Sequence, residues 1–187
     1  MRILVLDNYD SFTYNIVHIL REIASIDISV IKNDNIKINE IKTYDKIILS
    51  PGPSLPKDAG KMKELILKYY KTKPILGICL GHQAIAENFG AKLFNMKEPY
   101  HGVQSKIFLK DDYIFHGIKS EIKGCRYHSW SVSNKNLPEE LNIIAKDEKG
   151  VIMGVSHKNF DIKGIQFHPE SIQTKDGFKM VHNFINN

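Results

Sequence analysis

The feature of this sequence that most constrains its fold is a regular alternation, through the first half, of short β-branched runs with amphipathic stretches. The strand-like runs cover residues 2–6, 28–31, 46–49 and 74–78. The amphipathic stretches predict helices, because apolar residues recur at helical spacing: Ile16, Val17, Ile19, Leu20 and Ile23 in the first, and Met62, Leu65, Ile66 and Tyr69 within residues 58–70 in the second. Runs that are apolar at every position are typical of strands buried on both faces, so the alternation predicts a parallel sheet covered by helices.

The second half of the chain has a different pattern. From residue 106 to residue 167 the strand signals lie closer together, and residues 142–146 and 151–155 flank Glu148-Lys149-Gly150, which predicts a hairpin. A last helix is predicted over residues 177–185. The predicted fold is therefore α/β: an open, mostly parallel twisted sheet flanked by helices, with additional antiparallel strands in the second half.

The composition is that of a globular protein, with 187 residues of which 42% are hydrophobic and 25% charged. Because no stretch rich in Pro, Gly or Ser interrupts the chain, we predict one domain over residues 1–187. The longest apolar runs are far shorter than the ~20 residues that a membrane helix needs, so we expect no membrane association. No secretory or transit segment precedes the first strand-like run, which predicts a cytoplasmic protein.

The charged residues and the cysteines exclude two further classes of function. The formal net charge is +5, yet only Arg2, Arg21 and Arg126 are arginines and the lysines are scattered along the chain. Proteins that bind nucleic acid cluster their basic residues, so we expect no nucleic-acid partner. Cys79 and Cys125 lie far apart without a Cys-x-x-Cys spacing, which argues against a zinc ribbon or a redox pair, and we expect no metal site.

The most informative motif is Gly77-Ile78-Cys79-Leu80-Gly81, where a strand-like run leads through a Gly-x-Cys-x-Gly turn into the helix-like residues 83–89. The motif mirrors the Gly-x-Ser-x-Gly nucleophile elbow, in which the flanking glycines allow a sharp turn. A thiol placed there lies at a helix N-terminus, where backbone N–H groups and the helix dipole favour the thiolate. The alternative is a buried structural cysteine, but the flanking elements favour Cys79 as a nucleophile.

A cysteine nucleophile needs a base, and His168 is the strongest candidate among eight histidines. It follows the strand-like residues 164–167 and precedes Glu170 by two positions, on the same side of an extended segment that Pro169 stiffens. Such a carboxylate holds an imidazole in the tautomer that a base needs. His-x-Glu also begins the zinc deaminase signature, but the accompanying Pro-Cys-x-x-Cys is absent from the sequence. We predict a structural role for His82, which lies beside the elbow.

A third motif, Ser50-Pro51-Gly52-Pro53-Ser54, follows another predicted strand. The prolines remove backbone donors on either side of Gly52 and stiffen the chain, so the Gly52 N–H is a rigid, unobstructed donor of the kind that an oxyanion hole requires. Alone, the motif indicates only a turn. It gains weight because it lies at the carboxyl end of a strand, as Cys79 does, where open α/β sheets place their sites.

Together these three motifs resemble the class I glutamine amidotransferases, which hydrolyse glutamine and pass on its ammonia. The resemblance covers nearly the whole chain and is specifically to the amidotransferase component of anthranilate synthase and aminodeoxychorismate synthase. The segments that are similar are residues 7–15, residues 50–53, His101-Gly102, residues 126–129 and residues 166–172.

The resemblance implies a role for each residue of the motifs. Cys79 is the implied nucleophile, His168 the base and then acid, and Glu170 its orienting partner. The backbone N–H groups of Gly52 and Leu80 are the implied oxyanion hole. The implied glutamine-binding residues are Gly52, Pro53, Ser54, Gln83, Ser129 and Trp130. Ser54 departs from the family pattern, in which glycine or cysteine is usual.

The resemblance also implies a partner. No remaining motif supplies an acceptor site, so the ammonia is expected to reach a synthase subunit that aminates chorismate, giving anthranilate, 4-amino-4-deoxychorismate or both. No cofactor is expected in this chain, whereas Mg is expected in the partner synthase. Three alternatives stay open: an amidotransferase subunit for another acceptor, such as GMP synthetase, a stand-alone γ-glutamyl hydrolase, and a non-catalytic regulatory subunit.

Overall fold

A computed structural model describes residues 1–23 and 26–187, and within them a nine-stranded sheet forms the centre of the fold. One half of this sheet is parallel. In spatial order it contains β2 (Asp27–Lys32), β1 (Arg2–Asp7), β3 (Lys46–Leu49), β4 (Ile75–Ile78) and β11 (Ile162–Ile165). The β3, β4 and β11 strands are buried at every position, as the uniformly apolar runs predict for strands covered on both faces.

The other half of the sheet is antiparallel and continues from β11. It contains β10 (Ile152–His157), β9 (Leu141–Asp147), β6 (Val103–Leu109) and β7 (Glu121–Arg126). The predicted hairpin is the β9–β10 pair. Two short strands, β5 (Leu93–Asn95) and β8 (Trp130–Val132), pair with each other apart from the main sheet. The predicted α/β class, with a mostly parallel sheet and additional antiparallel strands, is confirmed. One strand differs from the expectation: β11 lies in the second half of the chain, two residues before the predicted strand of residues 164–167, and pairs parallel with β4.

Helices cover both faces of the sheet. They are α1 (Thr13–Ile23), α2 (Met62–Tyr69), α3 (Leu80–Asn88) and α4 (Gly177–Asn186). One core cluster contains the apolar residues of α2 and α3 together with Leu4 and Leu6 of β1. The cluster on the opposite face contains the apolar residues of α1 and α4 together with Ile3 and Val5 of β1. None of the helices within the described residues is long and apolar enough to cross a membrane.

Two helix boundaries differ from the prediction. The second helix begins at Met62 instead of residue 58, because Gly60 adopts a left-handed φ of 51° and a Cβ there would lie 2.7 Å from the Asn33 carbonyl oxygen. Residues 56–58 form a separate 3-10 turn. The α3 helix begins at Leu80 instead of residue 83, since Cys79 itself caps the helix.

The parallel pairing places three loops at one edge of the sheet. In the register of β3, β4 and β11, Leu49 lies beside Gly77 and Ile78 lies beside Ile165. The carboxyl ends of these strands therefore lie together, and the segments that follow them carry Gly52, Cys79 and His168.

Packing of α3 against β11 buries His82 completely. Gly164 makes room for its ring, since a Cβ at that glycine would lie 2.8 Å from the His82 Nδ1. Burial lowers the pKa of His82 to about 4, and the backbone of Gly164 only partly offsets this effect. His82 is therefore neutral in the folded protein at neutral pH.

This buried imidazole predicts a pH-dependent stability. Below about pH 6.5 the unfolded chain binds a proton at His82 and the folded chain does not, so stability falls as pH falls toward 4, by up to about 3 kcal/mol. We expect His82→Leu to make this acid limb shallower in urea unfolding measured at pH 7, 5.5 and 4, with the remaining slope due in part to His128, whose pKa is also lowered. The exposed histidine variant His116→Leu is the matched control, and an acid limb of equal slope in both variants would contradict the prediction.

Candidate active site

Cys79 lies at a sharp turn between β4 and α3. Its backbone has φ 50° and ψ −98°, a conformation that L-residues rarely adopt, and its side chain is 5% exposed. The turn depends on close backbone approach, because a Cβ on Gly77 would lie 2.5 Å from the Gly81 carbonyl and a Cβ on Gly81 would lie 2.7 Å from Leu49. The Gly-x-Cys-x-Gly spacing is thus required by the geometry of the turn.

His168 and Glu170 lie on the segment that follows β11. The His168 Nδ1 and a Glu170 carboxylate oxygen are 2.6 Å apart, and both side chains are almost fully buried. The backbone N–H of His168 donates to the Cys125 carbonyl at 2.9 Å, which positions the segment. The rings of Phe12 and Tyr127 pack edge-on against the imidazole. The His168 ring is therefore held by a carboxylate on one side and by aromatic rings on others.

The charge state of His168 is set by its neighbours. Burial alone lowers the pKa of this imidazole, but its interactions with the neighbouring Cys79, followed by those with Glu170, outweigh burial and hold the pKa well above its usual value. Since the Nδ1 faces Glu170, the Nε2 is the ring atom available to the cysteine sulfur. The site therefore places an imidazole of raised pKa beside Cys79.

The loop that carries Gly52 is held by Asn8. The Asn8 side chain donates to the Ser50 carbonyl at 2.8 Å, its backbone N–H donates to the Ser50 hydroxyl at 2.9 Å, and it accepts from Asn33 at 3.0 Å. Gly52 has no room for a side chain, because a Cβ there would lie 2.6 Å from the Asn8 Cβ and 2.7 Å from Leu80. The loop therefore packs closely against Leu80, the first residue of α3.

Ser54, on the same loop, has φ 64°. This left-handed conformation favours glycine, which gives a physical reason for the glycine usual at this position in the family pattern.

A cavity of about 150 Å³ opens beside Cys79. It is smaller than the 300–1,000 Å³ typical of sites for drug-sized ligands, so its occupant is a small molecule. Eight of the ten predicted site residues line this cavity: Gly52, Pro53, Ser54, Cys79, Leu80, Gln83, Ser129 and Trp130. His168 and Glu170 are buried and do not line this cavity.

The side chain of Gln83 is already oriented. Its amide nitrogen donates to the Trp130 carbonyl at 2.8 Å and to the Gln166 side-chain oxygen at 3.1 Å. An amide NH₂ carries two hydrogens, so these two hydrogen bonds use both of them. The Gln83 side-chain oxygen, an acceptor, remains for a ligand in the cavity.

Sequence reasoning assigned no role to four residues that the structure places at the site. Tyr127 and His128 line the cavity, Asn8 supports the Gly52 loop, and the Gln166 amide nitrogen lies 3.5 Å from the Cys79 sulfur. All four residues lie in segments that are similar to the family, residues 7–15, 126–129 and 166–172, and this similarity was the signal that could have found them. The contacts of Asn8 and Gln166 join segments that are remote in sequence.

Comparison with known proteins identifies the family to which this geometry belongs. The chain matches the family model described as Glutamine amidotransferase class-I over residues 4–187. It is 45% identical over 188 residues to anthranilate synthase component 2 of Cyanophora paradoxa, covering 98% of each chain. It is 42% identical over 185 residues to aminodeoxychorismate/anthranilate synthase component 2 of Bacillus subtilis, covering 98% of this chain and 95% of that one.

Two further similarities concern a longer protein and a solved structure. The chain is 44% identical over 188 residues to the bifunctional protein TrpGD of Thermotoga maritima, covering 99% of this chain and 32% of that relative, so it spans about one third of the longer protein. A crystal structure of a candidate GMP synthase subunit from Thermoplasma acidophilum is 32% identical with a TM-score of 0.89, covering 99% of this chain and 92% of that one.

The match over residues 4–187 and the identities of 42–45% over nearly the whole chain agree with the fold and with the cysteine elbow beside a histidine and a glutamate. This protein belongs to the class I glutamine amidotransferases.

Proposed function

We propose that this chain is a single glutaminase domain, residues 1–187, that hydrolyses L-glutamine through Cys79, His168 and Glu170 and delivers the ammonia to a chorismate-aminating synthase subunit. The observation that carries the proposal is the buried Glu170–His168 pair beside Cys79, at the edge of a small cavity. The names of the Cyanophora paradoxa and Bacillus subtilis relatives support the choice of acceptor.

In the proposed reaction, the Cys79 thiolate attacks the side-chain carboxamide carbon of glutamine. The proton held by His168 passes to the leaving nitrogen, the C–N bond breaks, and ammonia leaves behind a γ-glutamyl thioester. The neutral imidazole then removes a proton from water, which attacks the thioester and releases glutamate. The raised pKa of His168 supports this sequence, since the first step needs a protonated imidazole.

Two backbone donors are proposed to stabilise the tetrahedral oxyanion. Leu80 is the first residue of α3, so its N–H has no acceptor within the helix. The Gly52 loop lies against Leu80 and is held there by Asn8. Donors that are fixed before the reaction begins stabilise developing charge without reorganisation.

The remaining wall of the cavity is proposed to bind the rest of glutamine. The volume of about 150 Å³ suits a single small amino acid. The Gln83 oxygen would accept from an N–H of the substrate, and the main chain at Ser129 and Trp130, with Pro53 and Ser54 opposite, would hold the α-amino and carboxylate end. Because this wall is used by glutamine, the ammonia acceptor is proposed to bind to a second protein.

A GMP synthetase acceptor is the second candidate, and one observation favours it: the TM-score of 0.89 with the Thermoplasma acidophilum protein. The higher identities, 45% and 42%, are to relatives named as component 2 of chorismate-using synthases. We therefore place chorismate amination first.

The nucleophile is tested by Cys79→Ser. We expect glutamine-dependent synthesis by the complex to fall by at least about 10³-fold, while synthesis from added ammonium continues, because only the ammonia source is lost. Cys125→Ser is the matched control and should retain activity, since the contact of Cys125 with His168 is made by the backbone carbonyl. Normal glutamate release by Cys79→Ser would exclude Cys79 as the nucleophile.

The proposed roles of His168 as the base and Glu170 as its orienting partner are distinguished by comparing His168→Asn with Glu170→Gln. We expect a loss of about 10³-fold or more in kcat for the first and a smaller loss for the second. Glu170 helps to raise the pKa of His168, so Glu170→Gln should also move the alkaline limb of kcat/KM to lower pH. Negligible losses in both variants would place the base elsewhere.

The partner is tested by glutamate release with and without chorismate and the synthase subunit. The surface proposed to meet the partner is formed by residues 9–14 and the loop of residues 51–56. The exposed Tyr9 shares a pocket with Pro53 and Ser54 of this loop, and Tyr14 is exposed as well. We expect weak glutaminase activity from the isolated chain and a rise in kcat of about 10-fold or more on adding the partner. Full activity from the isolated chain, unchanged by any synthase, would favour the stand-alone hydrolase.

A further inference from the structure

A continuous line of buried polar groups runs from the antiparallel half of the sheet to the sulfur of Cys79. We call it the polar chain; its members are Asp147, Arg126, His128, the Trp130 carbonyl, Gln83 and Gln166. The side chains of the five named residues other than Trp130 are buried. Buried polar groups without partners are costly, so the hydrogen bonds along the chain determine which way each group points.

The polar chain begins at an ion pair. A terminal guanidinium nitrogen of Arg126 donates to Asp147 at 2.8 Å, and both side chains are at most 1% exposed. The guanidinium carbon also lies 3.6 Å from the centre of the Tyr100 ring. Arginine carries only donors, so the Arg126 Nε, which lies 3.0 Å from the His128 Nε2, fixes that ring nitrogen as an acceptor.

His128 is therefore held in one tautomer. Its proton is on Nδ1, which donates to the Trp130 carbonyl at 2.8 Å. Burial, followed by the charge of Arg126, lowers the pKa of His128 to about 3, so the ring stays neutral at neutral pH. The Trp130 carbonyl is thus fixed from one side by His128.

The carbonyl of Trp130 sets the direction of the two glutamines. A carbonyl only accepts, so the atom of Gln83 that lies 2.8 Å from it is the amide nitrogen. The same nitrogen lies 3.1 Å from Gln166, which must therefore present its oxygen. The Gln166 amide nitrogen is left facing the Cys79 sulfur at 3.5 Å.

We propose that Gln166 is a further catalytic residue of this site, whose side-chain N–H donates to the Cys79 sulfur and stabilises the thiolate, with its direction set by the polar chain. This inference rests on the proposed function. Hydrogen bonds to charged groups are stronger than those between neutral groups, so the donor favours the reactive form of Cys79. Arg126, His128 and Gln83 are positioning residues for this donor.

The test reads thiol reactivity in the absence of glutamine. The full-length chain is alkylated with iodoacetamide across a pH series, and modification of Cys79 is followed by peptide mass spectrometry. The other titratable groups near the sulfur are His168 with Glu170, Tyr127, His128 and His82, and all are left unchanged. We expect Gln166→Met to move the pH midpoint of alkylation upward by about one unit, the size expected for loss of one hydrogen bond to an anion.

Three further variants make the test more specific. Gln166→Glu replaces the donor by a carboxylate and should move the midpoint further upward, whereas Gln104→Glu places the same change at an exposed glutamine and should leave the midpoint unchanged. Gln83→Met keeps Gln166 but removes the group that orients it, and a smaller upward shift is expected. This last variant decides the question if Gln166→Met fails to fold, as judged by circular dichroism.

An unchanged midpoint in the folded Gln166→Met and Gln83→Met variants would overturn the role of Gln166. That outcome differs from failure of the proposed function, in which Cys79 of the unmodified chain would show no enhanced reactivity at neutral pH and Cys79→Ser would keep glutaminase activity.

Discussion

The parallel pairing of β4 with β11 is the contact on which the site depends. It joins a strand from the first half of the chain to one from the second half, and it lets the Ile165 carbonyl accept from the Cys79 N–H at 2.8 Å. The turn at Cys79 is thereby fixed against the residues that follow β11, which carry Gln166 and His168. Cys79 and Gln166, 87 residues apart in sequence, are brought into contact by one strand pairing.

Three buried histidines near this contact have different charge states, and their neighbours explain the difference. Burial by itself disfavours the imidazolium in all three. His82 has no carboxylate to offset burial, and Arg126 adds a repulsive charge at His128, so both rings are neutral. At His168 the interactions with Cys79 and Glu170 reverse the effect. Similar burial thus leaves the rings of His82 and His128 neutral, whereas the pKa of His168 is raised.

Local sequence patterns predicted most of the fold because they depend on short-range geometry. The apolar runs, the β9–β10 hairpin and the elbow at Cys79 follow from alternation, turn residues and glycine spacing. The predicted start of α2 was wrong because the backbone of Gly60 packs closely against Asn33, which is distant in sequence. No pattern within the helix indicates this contact. Helix propensity depends on neighbouring residues in the sequence, whereas this boundary depends on a tertiary contact.

The sequence by itself determined β1 to β4 and the helices that follow them, and it singled out Cys79, His168 and Glu170, because each of these residues lies in a short motif with its own chemistry. The parallel pairing of β11 with β4 was not among its predictions. Tertiary structure alone decided which groups orient them. The Arg126–Asp147 ion pair and the contact of Gln166 with the sulfur join different strands, loops and helices. Such contacts depend on sheet order and register, which local periodicity does not encode, so the donors and acceptors around Cys79 are identified only in the folded chain.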